Sequence, residues 1–360
     1  MLGISIYLGE KSVIKQKSYI EKMARIGCSL LFTSLHIPEE DSTVYCRQLK
    51  RLGQLAMQFD MSLIVDVSST FTDLFENVSE MADQLMGWGV TGVRIDYGID
   101  VDVIVKLSHQ MNIALNASTL TEASLKQLKE EGLNIDATEA WHNFYPRPET
   151  GLSWHNFRSK NQWLHTEGLP VAAFIPGDGQ LRGPLFEKLP TVENHRHLST
   201  FAALMEMQSM GCVNYVLIGD ISINHFSFRQ LKSYMNEEIL LRAVPCEGVR
   251  SEWMKQVARV HTNRADCAQD CLRSIQSRKD AMNHKNTIPP DNCVERPLGT
   301  ITVDNEHYLR YQGEVQITLT DLSQDHRVNV LGRVIPEDRP LLRWIKGNQN
   351  FRIDWLTKDQ

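Results

Sequence analysis

The sequence has no apolar run long enough to cross a membrane and no basic N-terminal stretch followed by an apolar core. A membrane-spanning helix needs about 20 consecutive apolar residues, so we predict no membrane partner. A secretory signal would need a charged region before an apolar one, whereas strand-like sequence already begins at Leu2. We therefore expect a cytoplasmic protein.

A surplus of positive charge is also missing. The chain has 38 Lys and Arg against 44 Asp and Glu, a formal net charge of -6, so we predict no nucleic-acid partner. An anionic ligand would need a local basic site. The 7 cysteines are odd in number and scattered, as is typical of reduced thiols. The closest pair, Cys267 and Cys271, has no second pair to complete a zinc site, so no metal site is predicted.

Short β-rich runs alternate with amphipathic segments through the first two thirds of the chain. The runs are LGISIYL from Leu2, SLLFTSL from Ser29, MSLIVDV from Met61, TGVRIDY from Thr91, MNIALNA from Met111, a weaker LNIDATEAW from Leu133, PVAAFIP from Pro170 and NYVLIGD from Asn214. Between them, apolar residues recur at helical spacing, as at Leu49, Leu52 and Ala56. Eight units of about 30 residues predict an α/β fold with a (β/α)8 TIM barrel over residues 1–240.

The pattern changes after residue 240. We predict a second domain over residues 241–360, with a helical or mixed connection and a segment rich in Pro and Asn. Alternating apolar residues then mark strands from about residue 295, in TITVDN, EVQITLT, RVNVLGRV and NFRIDW. Such alternation, with glycines at the turns, predicts a small C-terminal β-rich barrel.

Catalytic groups of a TIM barrel gather at the C-terminal ends of its strands. The predicted ends carry several carboxylates and no lysine, which argues against Schiff-base aldolase chemistry. Asp66 and Asp96 end adjacent strands, so they can serve as the paired acid and nucleophile or base of a glycosidase. Glu139 and Asp178 are further catalytic candidates. For each of the four, the alternative is a carboxylate that only caps a loop.

The segment AWHNFYPRPETGLS follows the sixth predicted strand and therefore crosses the barrel mouth. Its polar residues His142, Asn143 and Tyr145 become candidate ligands for sugar hydroxyls, although loops are often polar without a function. The fifth strand adds Asn116 to this set of substrate-binding candidates.

A phosphate group would need helix N-termini and cations near strands seven and eight. The segment LRGPLFEKLPTVENHRH carries the basic residues of this part of the rim, and we predict phosphate binding by Arg182, His195 and Arg196. The alternative is an ordinary polar helix start with Glu193 in its first turn.

The blocks HNFYPRPETGLS, FTSLHIPEE, GVRIDYG, ENHRH and DNEHYLRYQGEVQI resemble the bacterial 6-phospho-N-acetylmuramidase family over nearly the whole chain. The resemblance implies a TIM barrel followed by a cyclophilin-like domain. It also implies a cytoplasmic glycosidase of cell-wall recycling. The family's motifs fall on Asp66, Asp96, Asn116, His142, Asn143, Tyr145, Glu193, His195 and Arg196. Of these, Glu193 joins the substrate-binding candidates.

The leading hypothesis is a hydrolase that cleaves the β-1,4 bond of 6-phospho-N-acetylmuramyl-N-acetylglucosamine. Asp96 would protonate the leaving oxygen and Asp66 would attack or stabilise the anomeric centre, so no cofactor or metal is expected. One alternative is a metal-dependent sugar-phosphate isomerase or epimerase with His36, Asp66, Asp96 and His142 around a divalent ion. Another is a non-catalytic carbohydrate-binding or interaction protein. A homo-oligomeric state stays open.

Overall fold

The computed structural model describes residues 1–8, 12–35, 42–67, 77–96, 98–277 and 287–356. The chain divides into two compact units, Met1–Asn224 and His225–Gln360. The first contains a closed barrel of eight parallel strands and the second a seven-stranded sheet, so the predicted α/β fold class is confirmed. Within these ranges, no helix combines the length and apolar character that crossing a membrane requires.

All eight predicted runs form barrel strands, hydrogen-bonded in chain order, and the last pairs with the first. They are β1 (Leu2–Ser5), β2 (Cys28–Ser34), β3 (Ser62–Val67), β4 (Gly92–Ile95), β5 (Asn112–Asn116), β6 (Thr138–Trp141), β7 (Val171–Ile175) and β8 (Tyr215–Ile218). The weakest run is a strand only over its last four residues, because a 3-10 turn at Ile135–Ala137 precedes it.

Helices of the first unit lie between the strands. They are α1 (Ser12–Arg25), α2 (Ser42–Gln58), α3 (Val78–Gly87), α4 (Val101–Ser108), α5 (Glu122–Glu130), α6 (Trp154–Thr166) and α7 (Thr200–Met210). The predicted stripe of Leu49, Leu52 and Ala56 in α2 is fully buried. Side-chain caps start several helices; Ser153, for example, accepts a hydrogen bond from the Asn156 N–H at the start of α6. Gly53 lets α2 approach the end of α3, since a Cβ there would lie 1.7 Å from the Trp88 carbonyl oxygen.

An aromatic layer closes the barrel interior. The rings of Phe32 and Phe174 lie 5.3 Å apart between centroids, and Trp141 lies 5.8 Å from Phe32 and 6.4 Å from Phe174. All three side chains are buried in one cluster of the barrel core. Phe174 packs edge-to-face on both other rings, and each such pair adds about 0.5–1.5 kcal/mol to the burial of apolar area. The layer forms the floor beneath the residues at the strand ends.

The second unit contains a mostly antiparallel sheet. Its elements are α8 (His225–Tyr234), β9 (Glu238–Pro245), α9 (Ser251–Val257), β10 (Val260–Thr262), β11 (Cys271–Arg273), β12 (Thr300–Asp304), β13 (Val315–Thr318), β14 (Val328–Val334) and β15 (Asn350–Trp355). The strand order is β10-β15-β9-β14-β12-β13-β11, with β9 and β15 parallel. The four predicted strands are present as β12 to β15. The connection predicted as helical or mixed contains, over its described residues up to 277, one helix and two short strands. The strand β9 was not predicted.

Candidate active site

Two carboxylates and one arginine meet above the aromatic floor. Arg94 and Asp96 are two residues apart on β4 and its extension, so their side chains share the inward face. The register of β3 and β4 sets Asp66 beside Arg94. Arg94 Nη1 donates to Asp66 Oδ1 at 2.7 Å and lies 3.6 Å from Asp96 Oδ1. The predicted proximity of Asp66 and Asp96 therefore arises through a shared cation.

Arg94 is buried, with 4% of its side chain exposed. A charge this far from water needs close partners, and Asp66 supplies the opposite charge. The second guanidinium nitrogen, Nη2, donates to Asn143 Oδ1, so the planar group is held at both ends. Ser34 also contacts this carboxylate, donating to Asp66 Oδ2 at 3.3 Å.

Asp96 is the more accessible carboxylate, with 25% of its side chain exposed against 10% for Asp66. Asn116 Nδ2 donates to Asp96 Oδ1 at 2.9 Å, and the Ser118 backbone N–H donates to Asn116 Oδ1 at 3.0 Å. The second contact fixes which end of the amide faces Asp96. Asn116 thus supports the carboxylate, and no donor among the described residues contacts Asp96 Oδ2.

These side chains border a cavity of about 220 Å³ at the C-terminal end of the barrel. Its lining consists of Phe32, Asp66, Arg94, Asp96, His142, Asn143, Phe144 and Phe174. A drug-sized ligand usually occupies roughly 300–1,000 Å³, so only part of a disaccharide would fit inside. The mixture of apolar rings, two carboxylates and an amide suits a sugar, which has apolar faces and polar edges.

His142 borders the cavity, but its ring points away from the barrel interior. Nε2 contacts Asn161 Oδ1 of α6 at 2.6 Å, and the ring packs on Phe157 with 4.8 Å between centroids. Asn161 Nδ2 donates to the Gly211 carbonyl at 2.7 Å, which orients the amide oxygen toward His142. Burial lowers the pKa of His142 to about 4, so the ring is neutral and donates through Nε2.

Asn143 and Tyr145 hold the loop after β6 at the barrel mouth. Asn143 turns inward to Arg94, and its backbone N–H donates to Ser118 Oγ at 3.1 Å. Tyr145 Oη donates to the same Ser118 Oγ at 3.3 Å. Of the three loop residues predicted to bind sugar, Asn143 lines the cavity with its side chain and Tyr145 lies on the rim above β5.

Glu193 and Arg196 hold the loop after β6 in place through hydrogen bonds to its backbone. Glu193 accepts hydrogen bonds from the backbone N–H groups of Glu149 at 2.9 Å and Gly151 at 2.8 Å. Arg196 Nε donates to Glu193 Oε1 at 2.6 Å, and this contact, with the backbone donors, lowers the pKa of Glu193 to about 2.

The other Arg196 donors contact backbone carbonyls and the second carboxylate oxygen of Glu193. Nη1 donates to the carbonyls of Glu187 at 2.6 Å and Lys188 at 3.1 Å, and Nη2 donates to the Tyr145 carbonyl at 2.9 Å and to Glu193 Oε2 at 2.8 Å. A guanidinium has five N–H donors, and these contacts occupy every nitrogen of the group. Arg196 therefore organises the loops and has no spare donor for a phosphate.

Arg182 stands at the mouth beside β1 and β8. Its guanidinium carbon lies 4.0 Å from the centroid of the Tyr7 ring, and Tyr7 Oη donates to the Gly219 carbonyl. Buried Asp220 holds the Arg182 loop, because it accepts hydrogen bonds from the backbone N–H groups of Arg182 and Leu189, both at 3.1 Å. Within the described part of the chain no carboxylate forms an ion pair with Arg182, so its charge is available to an anion.

The structure does not bring the remaining candidates to the cavity. Glu139 lies one inward layer below Trp141 and accepts a hydrogen bond from Trp141 Nε1 at 2.7 Å, and burial raises its pKa. Asp178 Oδ1 accepts a hydrogen bond from the Asn224 N–H at 2.9 Å in the loop after β7. His195 is fully buried and contacts Glu206 Oε2 at 3.1 Å.

Arg94 stands at the end of the fourth predicted strand but was given no role from the sequence. It lies two residues before Asp96 in GVRID, and this spacing is the signal that could have identified it as a site residue. For the proposed metal site, His36 lies outside the described residues. Among those that are described, no three His, Cys, Asp or Glu side chains form a group that could hold a metal ion.

Comparisons with known proteins cover both units. Residues 2–233 match the family model described as 6-phospho-N-acetylmuramidase, N-terminal, and residues 239–354 match 6-phospho-N-acetylmuramidase, C-terminal. No curated protein matches the chain.

Two solved structures resemble the chain along its whole length. One is a conserved Enterococcus faecalis protein with an unknown function, at 40% identity and a TM-score of 0.88, covering 99% of this chain and 96% of that one. The other is an uncharacterized B. cereus protein, at 25% identity and a TM-score of 0.70, covering 98% and 99%.

Proposed function

Because the chain belongs to the 6-phospho-N-acetylmuramidase family of glycosidases, we propose that it hydrolyses the β-1,4 bond of 6-phospho-N-acetylmuramyl-N-acetylglucosamine. The products are N-acetylmuramic acid 6-phosphate and N-acetylglucosamine. We place this reaction in the cytoplasm, in cell-wall recycling, as the family resemblance implies. The observation that carries the proposal is the pair of carboxylates, Asp66 and Asp96, meeting at Arg94 inside a cavity at the C-terminal end of the barrel.

Asp96 is the proposed general acid. Its exposure and the absence of a described donor at Oδ2 leave one oxygen able to hold a proton and pass it to the glycosidic oxygen. Asp66 is proposed to supply negative charge at the anomeric carbon, where positive charge develops in the transition state. Glycosidases of this type need two such carboxylates in different surroundings, and the unequal contacts of Asp66 and Asp96 meet that requirement.

Arg182 is the proposed ligand of the 6-phosphate. Its loop follows β7, and it packs on Tyr7 at the end of β1, in the part of a TIM barrel that commonly binds phosphate. In a closed barrel of eight strands, β8 lies opposite β4, so the phosphate site and Asp96 face each other across the mouth. Asn143 is the proposed sugar contact inside the cavity, and Tyr145 the contact at the rim.

The primary test is turnover of the phosphorylated disaccharide and its unphosphorylated counterpart by wild type and Asp96→Asn. We expect cleavage of the phosphorylated compound, lowered at least about 1,000-fold by Asp96→Asn, because acid catalysis and its positioning are both lost. Asp102→Asn is the control, since Asp102 is exposed on helix α4. Absence of cleavage by folded wild-type protein would contradict the proposal.

The phosphate assignment has its own test. Removing one charge-assisted contact costs about 1.5–3 kcal/mol, so Arg182→Met should lower kcat/KM for the phosphorylated disaccharide roughly 10- to 150-fold. Turnover of the unphosphorylated compound, if measurable, should change little. Arg158→Met, an exposed arginine on α6, is the matched control. Equal losses of kcat/KM on both compounds would show that Arg182 does not bind the phosphate.

A further inference from the structure

The positions of Asp66 and Asp96 around Arg94 limit how far apart the two carboxylates can be. One nitrogen, Arg94 Nη1, lies 2.7 Å from Asp66 Oδ1 and 3.6 Å from Asp96 Oδ1. The two oxygens that face this nitrogen are therefore at most about 6.3 Å apart. Retaining glycosidases separate their carboxyl groups by about 5–5.5 Å and inverting ones by roughly 6.5–9.5 Å, so the shared nitrogen holds Asp66 and Asp96 toward the close end of this range.

A separation below the inverting range favours direct attack of Asp66 on the anomeric carbon over attack by a water molecule held between the two. An inverting enzyme needs that water, because its second carboxylate acts as a base on it. We propose that hydrolysis proceeds with retention of configuration through a glycosyl-enzyme intermediate on Asp66, with Arg94 as the residue that positions it. This inference rests on the function proposed above.

The surroundings of the two carboxylates support this division. Asp66 is nearly buried and bound by Arg94 and Ser34, so the guanidinium offsets the charge that a nucleophile must carry. Asp96 faces the cavity more openly and is held through Oδ1 alone by Asn116 among the described residues. Arg94 is anchored on Asn143 as well, so it fixes the direction from which Asp66 approaches the substrate.

The reaction then has two balanced steps. In the first, an Asp66 carboxylate oxygen bonds to C1 of the muramic acid unit as the C1–O4 bond breaks, and Asp96 gives its proton to O4 of the departing N-acetylglucosamine. In the second, Asp96 takes a proton from water, the water oxygen bonds to C1, and the ester bond from Asp66 breaks. Each step inverts C1, so the β-linked substrate gives a β product.

The direct experiment follows the product anomer by proton NMR during the first seconds of cleavage, before mutarotation. We expect the β anomer of N-acetylmuramic acid 6-phosphate to appear first. The α anomer appearing first would overturn the proposal while leaving the proposed activity intact. Complete absence of cleavage would instead refute the proposed function, so the two failures are distinguishable.

A second experiment identifies the nucleophile. Asp96→Ala should still react with an aryl β-glycoside of N-acetylmuramic acid 6-phosphate, because the aryl leaving group needs no acid. A glycosyl adduct should then accumulate on Asp66, where peptide mass spectrometry would locate it. Azide should restore turnover and give the β-glycosyl azide. An α azide, an adduct on another residue, or a released oxazoline formed by the substrate's own acetamido group would overturn the role of Asp66.

The positioning role of Arg94 is tested by how a substitution divides its effect between kcat and KM. Arg94→Gln leaves Asp66 without the group that fixes its direction, so kcat should fall about 100-fold while KM changes little. Arg94→Lys keeps the charge but loses the fork to Asn143, so kcat should recover only in part. A rise in KM with kcat unchanged in both folded variants would reduce Arg94 to a structural role.

Discussion

The buried ring of His142 leads to a sharp prediction, because the neighbouring Asn143 is a proposed sugar contact and His142 is not. The perturbation is His142→Gln, which removes the titrating ring and keeps a donor near Asn161. Burial lowers the pKa of His142 from 6.5 to about 4 in the folded state. The unfolded chain therefore takes up the proton first as the pH falls.

The sign and size of the effect follow from this difference. The contribution of His142 to the free energy of unfolding is fully present above pH 6.5 and is lost as the pH falls toward the folded pKa of about 4. At about 1.36 kcal/mol per pH unit, wild type should lose about 2 kcal/mol between pH 7 and pH 5 through this group alone. His142→Gln lacks this loss.

Chemical denaturation at pH 7, 6 and 5 measures the effect as the difference in slope between the two proteins. His155→Gln serves as the control, since His155 lies exposed on α6, the helix that carries Asn161, and the variant should keep the wild-type slope. The KM for the phosphorylated disaccharide, measured near neutral pH, should also be unchanged in His142→Gln. Identical slopes for wild type and His142→Gln, or a large rise in KM with no change in slope, would refute a buried structural ring and restore His142 as a ligand.

Three further predictions concern carboxylates. Burial, reinforced by Glu314 and Asp325, raises the pKa of Asp304 to about 7, so stability from Asp304 is lost as the pH rises from about 4 to 7. Asp304→Asn should therefore raise the unfolding free energy at pH 8 by on the order of 2 kcal/mol, and a lower value in a denaturation curve would contradict this. Glu193→Gln should lower Tm at pH 7, with the deficit shrinking as the pH falls below 4.5 toward the folded pKa of about 2, as thermal melts at pH 3 and 7 would show. Glu139→Gln should keep kcat within about twofold, because Glu139 lies beneath the aromatic floor; a loss of 100-fold would return it to the catalytic candidates.

Much of the fold was predictable because the spacing of apolar residues along the chain reflects which side chains are buried. Strands of a parallel barrel are buried on both faces and read as short apolar runs, and all eight were predicted. The strand β9 was missed because EILLRAVP follows α8 closely and looks like the continuation of a helical segment. The short strands β10 and β11 have only three residues each, too few for a period-2 pattern to stand out.

The candidate site was predictable to the level of its location. Asp66 and Asp96 were predicted to be neighbours from strand order, and the structure brings them together. Sequence could not tell which polar rim residues have spare hydrogen-bonding capacity. Arg196 and Arg182 look equivalent in the segment LRGPLFEKLPTVENHRH, yet the chain's own carbonyls and Glu193 use the donors of Arg196, while Arg182 has no ion-pair partner among the described residues.

The sequence by itself determined the barrel, its strand order and therefore the rim on which the carboxylates stand, because those depend on local periodicity and chain order. Tertiary structure alone decided that Arg94 joins Asp66 to Asp96, that His142 turns outward to α6, and that Glu139 lies below the floor. The reason is physical: the direction and partners of a side chain depend on which strands and helices pack beside it, and the contacting residues of Arg94, Asp96 and His142 lie 19 to 49 positions away along the chain.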